Sequence, residues 1–400
     1  MGEVQAANIL IVDDKKINRI ILEKHLKTAQ YYNISHAGDG QEALDMVKKQ
    51  KPDLILLDIV MPGIDGFEVC QRLKSDPRTQ MVPIVMVTAL NDHESKLKCI
   101  EFGANDILNK PVDSTELIAR VKSLIHVKQY YDQLHRLNEQ LIDNLKTAAT
   151  IQRALLPKKL PQIQGVSLDA FYRPTEIIGG DSYNIFPIDE ENLCFYIADV
   201  SGHQLDAAML TVFIKEFVSG YTRQAIEKKE IFKPVSCLQQ LDEAFKKEEF
   251  PLDIFITMFL AVYHCPSSTL TYSTAGFAQV PLIYGKNRIR HLHCSGKLIM
   301  ALEAESDFEE HATKLEKGEG IFIYTDGLVE QLNPEQTEHF GTSRIEMALA
   351  SMENGQEMRA VPMMIQELSA FAGTDSFQDD IAIITMFLHD DFSNCEVTNR

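Results

Sequence analysis

Residues 53–66 read DLILLDIVMPGIDG: a run of apolar residues that ends on Asp58, followed by a glycine-containing turn. An apolar run without polar alternation reads as a strand buried on both faces, the kind found inside parallel sheets. Similar short strands lie on either side, ILIV (9–12), NISHA (33–37), PIVMV (83–87) and DIL (106–108). Amphipathic stretches separate them; DGQEALDMVKKQ, for example, places Ala43, Leu44 and Val47 on one helical face. Strands alternating with helices predict a five-stranded parallel sheet covered on both sides, with its functional edge at the carboxyl ends of the strands.

The residues at those ends form a set. Asp13 and Asp14 follow the first strand, Asp58 the third, Thr88 the fourth and Lys110 the fifth. Three carboxylates on one edge repel one another unless a divalent cation neutralises them. Lys110 adds a point charge suited to a phosphoryl oxygen, Thr88 adds a hydroxyl, and a carboxylate beside Mg²⁺ can attack phosphorus to give an acyl phosphate. The Lys110-Pro111 bond is a place where a cis peptide would aim the lysine inward. An aspartate after a strand is, by itself, most often a turn or cap residue; five residues in this order around DIVMPGIDG say more. No Gly-x-Gly-x-x-Gly follows the first strand, which disfavours a nucleotide-binding rival. Residues 8–125 thus resemble the flavodoxin-like receiver domain of two-component response regulators. The resemblance implies phosphorylation of Asp58 by a sensor histidine kinase or phosphotransfer protein, and Mg²⁺ held by Asp13, Asp14 and Asp58. It also implies switching through Thr88 and Lys110. One departure is Ile107, which stands where such domains often carry an aromatic switch residue.

After Val112 the chain has no glycine until Gly165 and no proline until Pro157, which predicts one long helix. In heptad register, Leu124, Tyr131, Asn138, Leu145 and Gln152 take one seam row, and Val127, Leu134, Leu141, Ala148 and Leu155 the other. The second row is wholly apolar, and Asn138 in the first favours a parallel homodimer in fixed register. The plainer alternative is a single amphipathic helix packed on its own domains. The linker is expected over 126–156, ahead of a third region at 157–390.

From residue 166 longer alternating strands take over: VSLDAFY, LCFYIAD, FITMFLAVYH, LTYSTAG and GIFIYTDG. Helices are predicted near 205–222, 235–249, 342–353 and 360–371, with hairpin turns at DEEN, PSS and GKN. The expected class is α+β, a central antiparallel β-sandwich flanked by helices. Its acids also sit at strand ends: Asp181 after a glycine pair, Asp199 closing LCFYIAD, Asp326 closing GIFIYTD, and Asp379-Asp380 opening IAIITMF. Four such loci with nearby Gly180 and Gly327 suit two hard cations, which could lower the pKa of a water for attack on a phosphoester. Read alone, Asp-Gly at 326–327 is a common turn dipeptide and His203 a loop or helix-start residue.

The order GGD, DVSGH, YTDG, DDI, preceded by IQRALLP at 151–157, resembles the metal-dependent serine/threonine protein phosphatases of the stage II sporulation protein E type. That resemblance puts Asp181, Asp199, Asp326 and Asp379 or Asp380, with Asp379 favoured, on metal-binding positions. Val200 would add a backbone carbonyl, for two Mn²⁺ or Mg²⁺ ions. His203 would be auxiliary. Asn184, Gln204 and Phe277 depart from the family pattern. The implied substrate is a phosphorylated regulatory protein such as an anti-sigma-factor antagonist. The competing reading is a phosphorylation-gated adaptor, of the same fold without catalysis, that binds a sigma factor or its regulator.

Composition agrees with two or three domains of a soluble protein. Hydrophobic residues make up 45% of the 400, enough for separate cores, while a net charge of −19 argues against a nucleic-acid partner. Seven scattered cysteines without Cys-x-x-Cys read as reduced thiols, and no apolar run reaches membrane-spanning length, so a cytoplasmic protein is expected.

Overall fold

A computed structural model describes residues 6–89, 93–202, 205–248, 250–251, 253–285, 288–300, 308–352 and 359–389. The chain divides into two units, Met1–Leu141 and Ile142–Arg400. The first contains β1 (Ile9–Val12), α1 (Lys16–Thr28), β2 (Ile34–Ala37), α2 (Gly40–Lys49) and β3 (Leu54–Asp58). It continues with α3 (Gly66–Ser75), β4 (Ile84–Thr88), α4 (His93–Glu101) and β5 (Asp106–Asn109). The strands form one parallel sheet in the order β2-β1-β3-β4-β5. β1, β3 and β4 are buried along their whole length. One face packs against α2 and α3 through Leu57, Val47 and Val69, the other through Ile11, Leu22 and Val121. Asp39 and Asp65 start α2 and α3 by accepting the Glu42 and Glu68 N–H groups, both at 2.8 Å.

Helix α5 runs without a break from Ser114 to Leu155 and passes from the first unit into the second. Asp113 caps its start, accepting the Glu116 N–H at 2.8 Å, and Pro157 stands just past its end. The expected seam is occupied at both ends by packing within the chain. Leu124 and Ile125 join the first unit's core, while Leu145, Ala148 and Ala149 pack on Ile178 and Ala208. Between them Val127, Tyr131, Leu134, Leu137 and Leu141 stay exposed.

The second unit opens with β6 (Val166–Arg173), β7 (Ser182–Pro187) and β8 (Asn192–Val200), then α6 (Leu205–Lys228) and α7 (Pro234–Lys247). β9 (Phe255–His264), β10 (Thr269–Ala275), β11 (Leu282–Gly285), β12 (Arg288–His291), β13 (Ile299–Met300) and β14 (His311–Lys314) follow. The last elements are β15 (Gly320–Tyr324), α8 (Asp326–Glu330), α9 (Gly341–Ala350), α10 (Ala360–Ala372) and β16 (Ile381–Leu388). Two antiparallel sheets result, β14-β10-β9-β8-β7 with β13 on β9, and β12-β11-β15-β16-β6. Side chains alternate across them as the period of two requires. Phe195, Ile197, Ile323 and Ile384 fill the space between the sheets. Cys194, Tyr196 and Ala198 turn to α6 and α7, and Tyr324, Ile381 and Ile383 to α9 and α10. Each fully buried aliphatic or aromatic side chain of this kind contributes roughly 1.5–3 kcal/mol.

The sandwich with outer helices is the architecture expected. The Asp-Gly at 326–327 starts a short helix, α8, rather than a hairpin. The turn at 286–287 lies outside the described residues. Among the described residues, no helix is long and apolar enough to cross a membrane.

Candidate functional site

In the first unit, register brings the expected residues together. Val12 pairs with Leu57, Asp58 with Val87 and Thr88 with Asn109, so the residues ending these strands share one edge. Carboxylate oxygens of Asp13, Asp14 and Asp58 all lie within 4.8 Å of one another. Lys110 Nζ reaches Asp13 Oδ2 at 2.8 Å and Asp58 Oδ2 at 2.9 Å, from a chain turned by a cis bond to Pro111. Asp13 is further held by the Lys15 N–H at 2.8 Å and by Asn18 Nδ2, which donates to both its oxygens. Burial pushes the Asp58 carboxyl up, and the hydrogen bond from Lys110 opposes it. Burial alone would pull Lys110 down, but its bonds to Asp13 and Asp58 prevail and hold it above the ordinary lysine value. Thr88 is buried at the end of β4, and Ile107 is half-buried against the core.

In the second unit the acids come from four strand ends at one end of the sandwich. Asp181 immediately precedes β7 and Asp199 lies near the end of β8, two strands paired in one sheet. Asp326 follows β15, and Asp379-Asp380 precede β16, paired in the other. The sheets meet where Thr325 Oγ1 donates to Asp181 Oδ2 at 2.6 Å and receives the Ala382 N–H at 2.8 Å. A Cβ on Gly180 would lie 2.4 Å from the Val200 carbonyl oxygen, and one on Gly327 only 2.1 Å from that of Asp380. Only glycine permits these approaches.

The two acids of the final pair do different things. Asp380 Oδ2 accepts the Gly180 N–H at 2.6 Å and its Oδ1 the Thr175 N–H at 2.8 Å, pinning the glycine loop to β16. Burial raises the Asp380 carboxyl while these amides draw it back. Asp379 is exposed and adds its charge to those acting on Asp199 and Asp326. Burial first, then Asp326 and Asp379, push Asp199 up to about 7. Burial, Asp379 and Glu330 bring Asp326 to about 6. Asp181 stands well above the aspartate range through burial and the charge of Asp199, with Thr325 pulling it back. Carboxylates that raise one another in this way repel, and a divalent cation among them is the group that would reconcile their charges. The donor set of carboxylate and carbonyl oxygens fits hard cations such as Mg²⁺ or Mn²⁺.

Two participants were missed by the sequence reading. Glu330 stands one helical turn from Asp326 on α8, and that spacing was its only signal. Gln152, read as a seam residue, is buried. Its Nε2 donates to the Gly179 carbonyl at 2.7 Å, and Lys215 on α6 bonds the Leu155 carbonyl at the helix end. Asn184 does not join the acids: its Oδ1 accepts the Ile185 N–H at 3.0 Å, and it lines a separate cavity with Pro157, Pro161 and Phe186. Phe277 is a core residue packed on Phe259. His203 and Gln204 lie outside the described residues.

Comparison with known proteins follows the same division. Residues 9–122 match the family described as response regulator receiver domain, and residues 189–389 match stage II sporulation protein E (SpoIIE). Response regulator PleD of Caulobacter vibrioides is 47% identical over 131 residues, 33% of this chain and 29% of that protein. The probable transcriptional regulator ycf27 of Porphyridium aerugineum is 42% identical over 122 residues, 30% of this chain and 49% of that one. The chain thus spans less than a third and about half of these relatives' lengths. Among solved structures, the SiaA-PP2C domain of Pseudomonas aeruginosa is similar over 64% of this chain and 99% of its own, with a TM-score of 0.53. At 21% identity that likeness is one of fold.

Proposed function

The chain belongs to the stage II sporulation protein E family and joins a receiver domain to a phosphatase domain; from this we propose a receiver-controlled, metal-dependent serine/threonine protein phosphatase. The observation that carries the reading is the group of mutually repelling carboxylates, from buried Asp181 to partly buried Asp199 and Asp326, at one end of the sandwich. Asp181, Asp199, Asp326 and Asp379 would hold two Mn²⁺ or Mg²⁺ ions with the Val200 carbonyl, while Asp380 fixes the glycine loop. Bound there, such ions would lower the pKa of a water and offset the charge on the phosphoryl oxygens. Gly180 and Gly327 serve the site by letting the Val200 and Asp380 backbone close in beside the acids.

In the receiver, Asp58 would take a phosphoryl group from the phosphohistidine of a sensor kinase or phosphotransfer protein, with Mg²⁺ held by Asp13, Asp14 and Asp58. Lys110 is within hydrogen-bond reach of Asp58 and would follow the new phosphoryl oxygens, and Thr88 would donate its hydroxyl. The substrate we favour is a phosphorylated anti-sigma-factor antagonist or a regulatory protein of that kind. The exposed apolar stripe of α5 supports a parallel homodimer.

The test is hydrolysis of a generic phosphoester and of a phosphoserine peptide by the full chain with Mn²⁺. Turnover should require the cation and fall at least about 10–100-fold in Asp199→Ala, the loss seen when even an outer partner of a metal ligand goes. Turnover that is absent, or indifferent to metal and to this substitution, would favour the adaptor.

A further inference from the structure

Away from the catalytic acids, at the edge of the β14-β10-β9-β8-β7 sheet, two imidazoles and a carboxylate converge. Ligand atoms of His293, Glu309 and His311 all lie within 4.8 Å of one another. The His293 and His311 rings stand 5.1 Å apart at 88°. Glu309 Oε2 lies 3.5 Å from His311 Nε2, and Ser295 Oγ bridges the same two atoms at 3.0 and 3.1 Å.

The frame beneath is fixed. His311 begins β14 opposite Tyr272 of β10, whose buried ring packs against its imidazole at 5.4 Å. The Ser295 N–H donates to Thr274 Oγ1 at 3.0 Å, and that hydroxyl donates in turn to the Ser295 carbonyl. The segment carrying His293 is therefore anchored to β10, the same strand that positions His311.

We propose that His293, Glu309 and His311 bind a late first-row divalent cation, zinc above all. Two imidazoles and one carboxylate make a borderline-soft set, which selects Zn²⁺ over Mg²⁺, whereas the aspartate-rich end of the sandwich suits hard ions. Zinc bonds of 2.0–2.1 Å put tetrahedral ligands about 3.3 Å apart, which modest side-chain rotations reach from the present spacing. Ser295 or a water completes the fourth position. The ion ties the 292–295 segment to β14, so binding adds to stability. Cys294 is not a ligand, since its thiol turns to the Gln279 carbonyl at 3.8 Å.

The full chain, stripped with chelator and kept in millimolar Mg²⁺ to fill oxygen sites, would be titrated with Zn²⁺ against a chromophoric chelator. Wild type and Cys294→Ser should hold one more zinc than His293→Ala/His311→Ala, with Glu309→Gln binding at least about tenfold more weakly. Equal stoichiometry in all four chains overturns the site. Should the double variant misfold, histidine NMR of the wild type decides. The His293 and His311 imidazole resonances should shift with Zn²⁺ and not with Mg²⁺, and their failure to shift overturns it equally.

Discussion

Burial and neighbouring acids hold Asp199 at about 7 and Asp326 at about 6, against an ordinary aspartate value of 3.8. Between pH 4 and 7 the folded, metal-free chain therefore binds more protons at these groups than the unfolded chain does. Stability falls as pH rises through that window, because the native state is then forced to carry charges it repels. A bound cation removes the penalty, so its stabilising effect should grow with pH. Melting of the chelator-treated chain is expected to drop from pH 5 to pH 8, with Mn²⁺ raising Tm more at pH 8. Asp199→Asn/Asp326→Asn should flatten the slope, and an equally steep slope in that variant would refute the assignment. Thr325 links the two sheets through Asp181 and Ala382, so Thr325→Val should cost roughly 1–3 kcal/mol in denaturant unfolding, the range for leaving a buried polar group without its partner. The acids themselves were legible from sequence through the joint order GGD, DVSGH, YTDG and DDI, since a strand-end Asp-Gly alone reads as a turn. The different work of Asp379 and Asp380 was not, since adjacent residues point apart and only the fold says which one meets the Gly180 amide.

Helix α5 shows where periodicity stops being informative. A heptad row records which face is apolar but not what covers it. Leu124 turns out to belong to one domain core and Ala148 to the other unit's packing, leaving Val127 to Leu141 as the free stripe. If that stripe is a parallel dimer seam, Leu134→Asp/Leu141→Asp should give a monomeric mass by light scattering at micromolar concentration without loss of helicity. A monomeric wild type would end the dimer reading. The helix end has a second role open to test. Gln152 holds the Gly179 carbonyl, two residues from Asp181, so Gln152→Ala frees a loop that carries an expected metal ligand. Its effect should appear as weaker Mn²⁺ binding, with a several-fold higher half-saturating concentration, and little change in unfolding. A large stability loss at unchanged Mn²⁺ affinity would make Gln152 a packing residue only.

At the scale of the whole chain, the continuity of α5 from the receiver's Ser114 to Leu155, three residues past Gln152, offers a physical route for control. A helix passes on rotation as well as displacement, and the two can be separated by insertion. Each added residue turns the helix by about 100° and lengthens it by about 1.5 Å. Two residues inserted within 130–140 rotate its far end by about 200° and extend it by about 3 Å. Seven residues extend it by over 10 Å but leave the phase within about 20° of the original, and they preserve the heptad seam. If receiver phosphorylation acts through the rotational phase of α5, the seven-residue insertion should keep the response of turnover to a small-molecule phosphodonor. The two-residue insertion should abolish or invert it, and Asp58→Asn should lose it with basal turnover intact. A response preserved in both insertions would reduce α5 to a tether, and one lost in both would point to distance rather than phase.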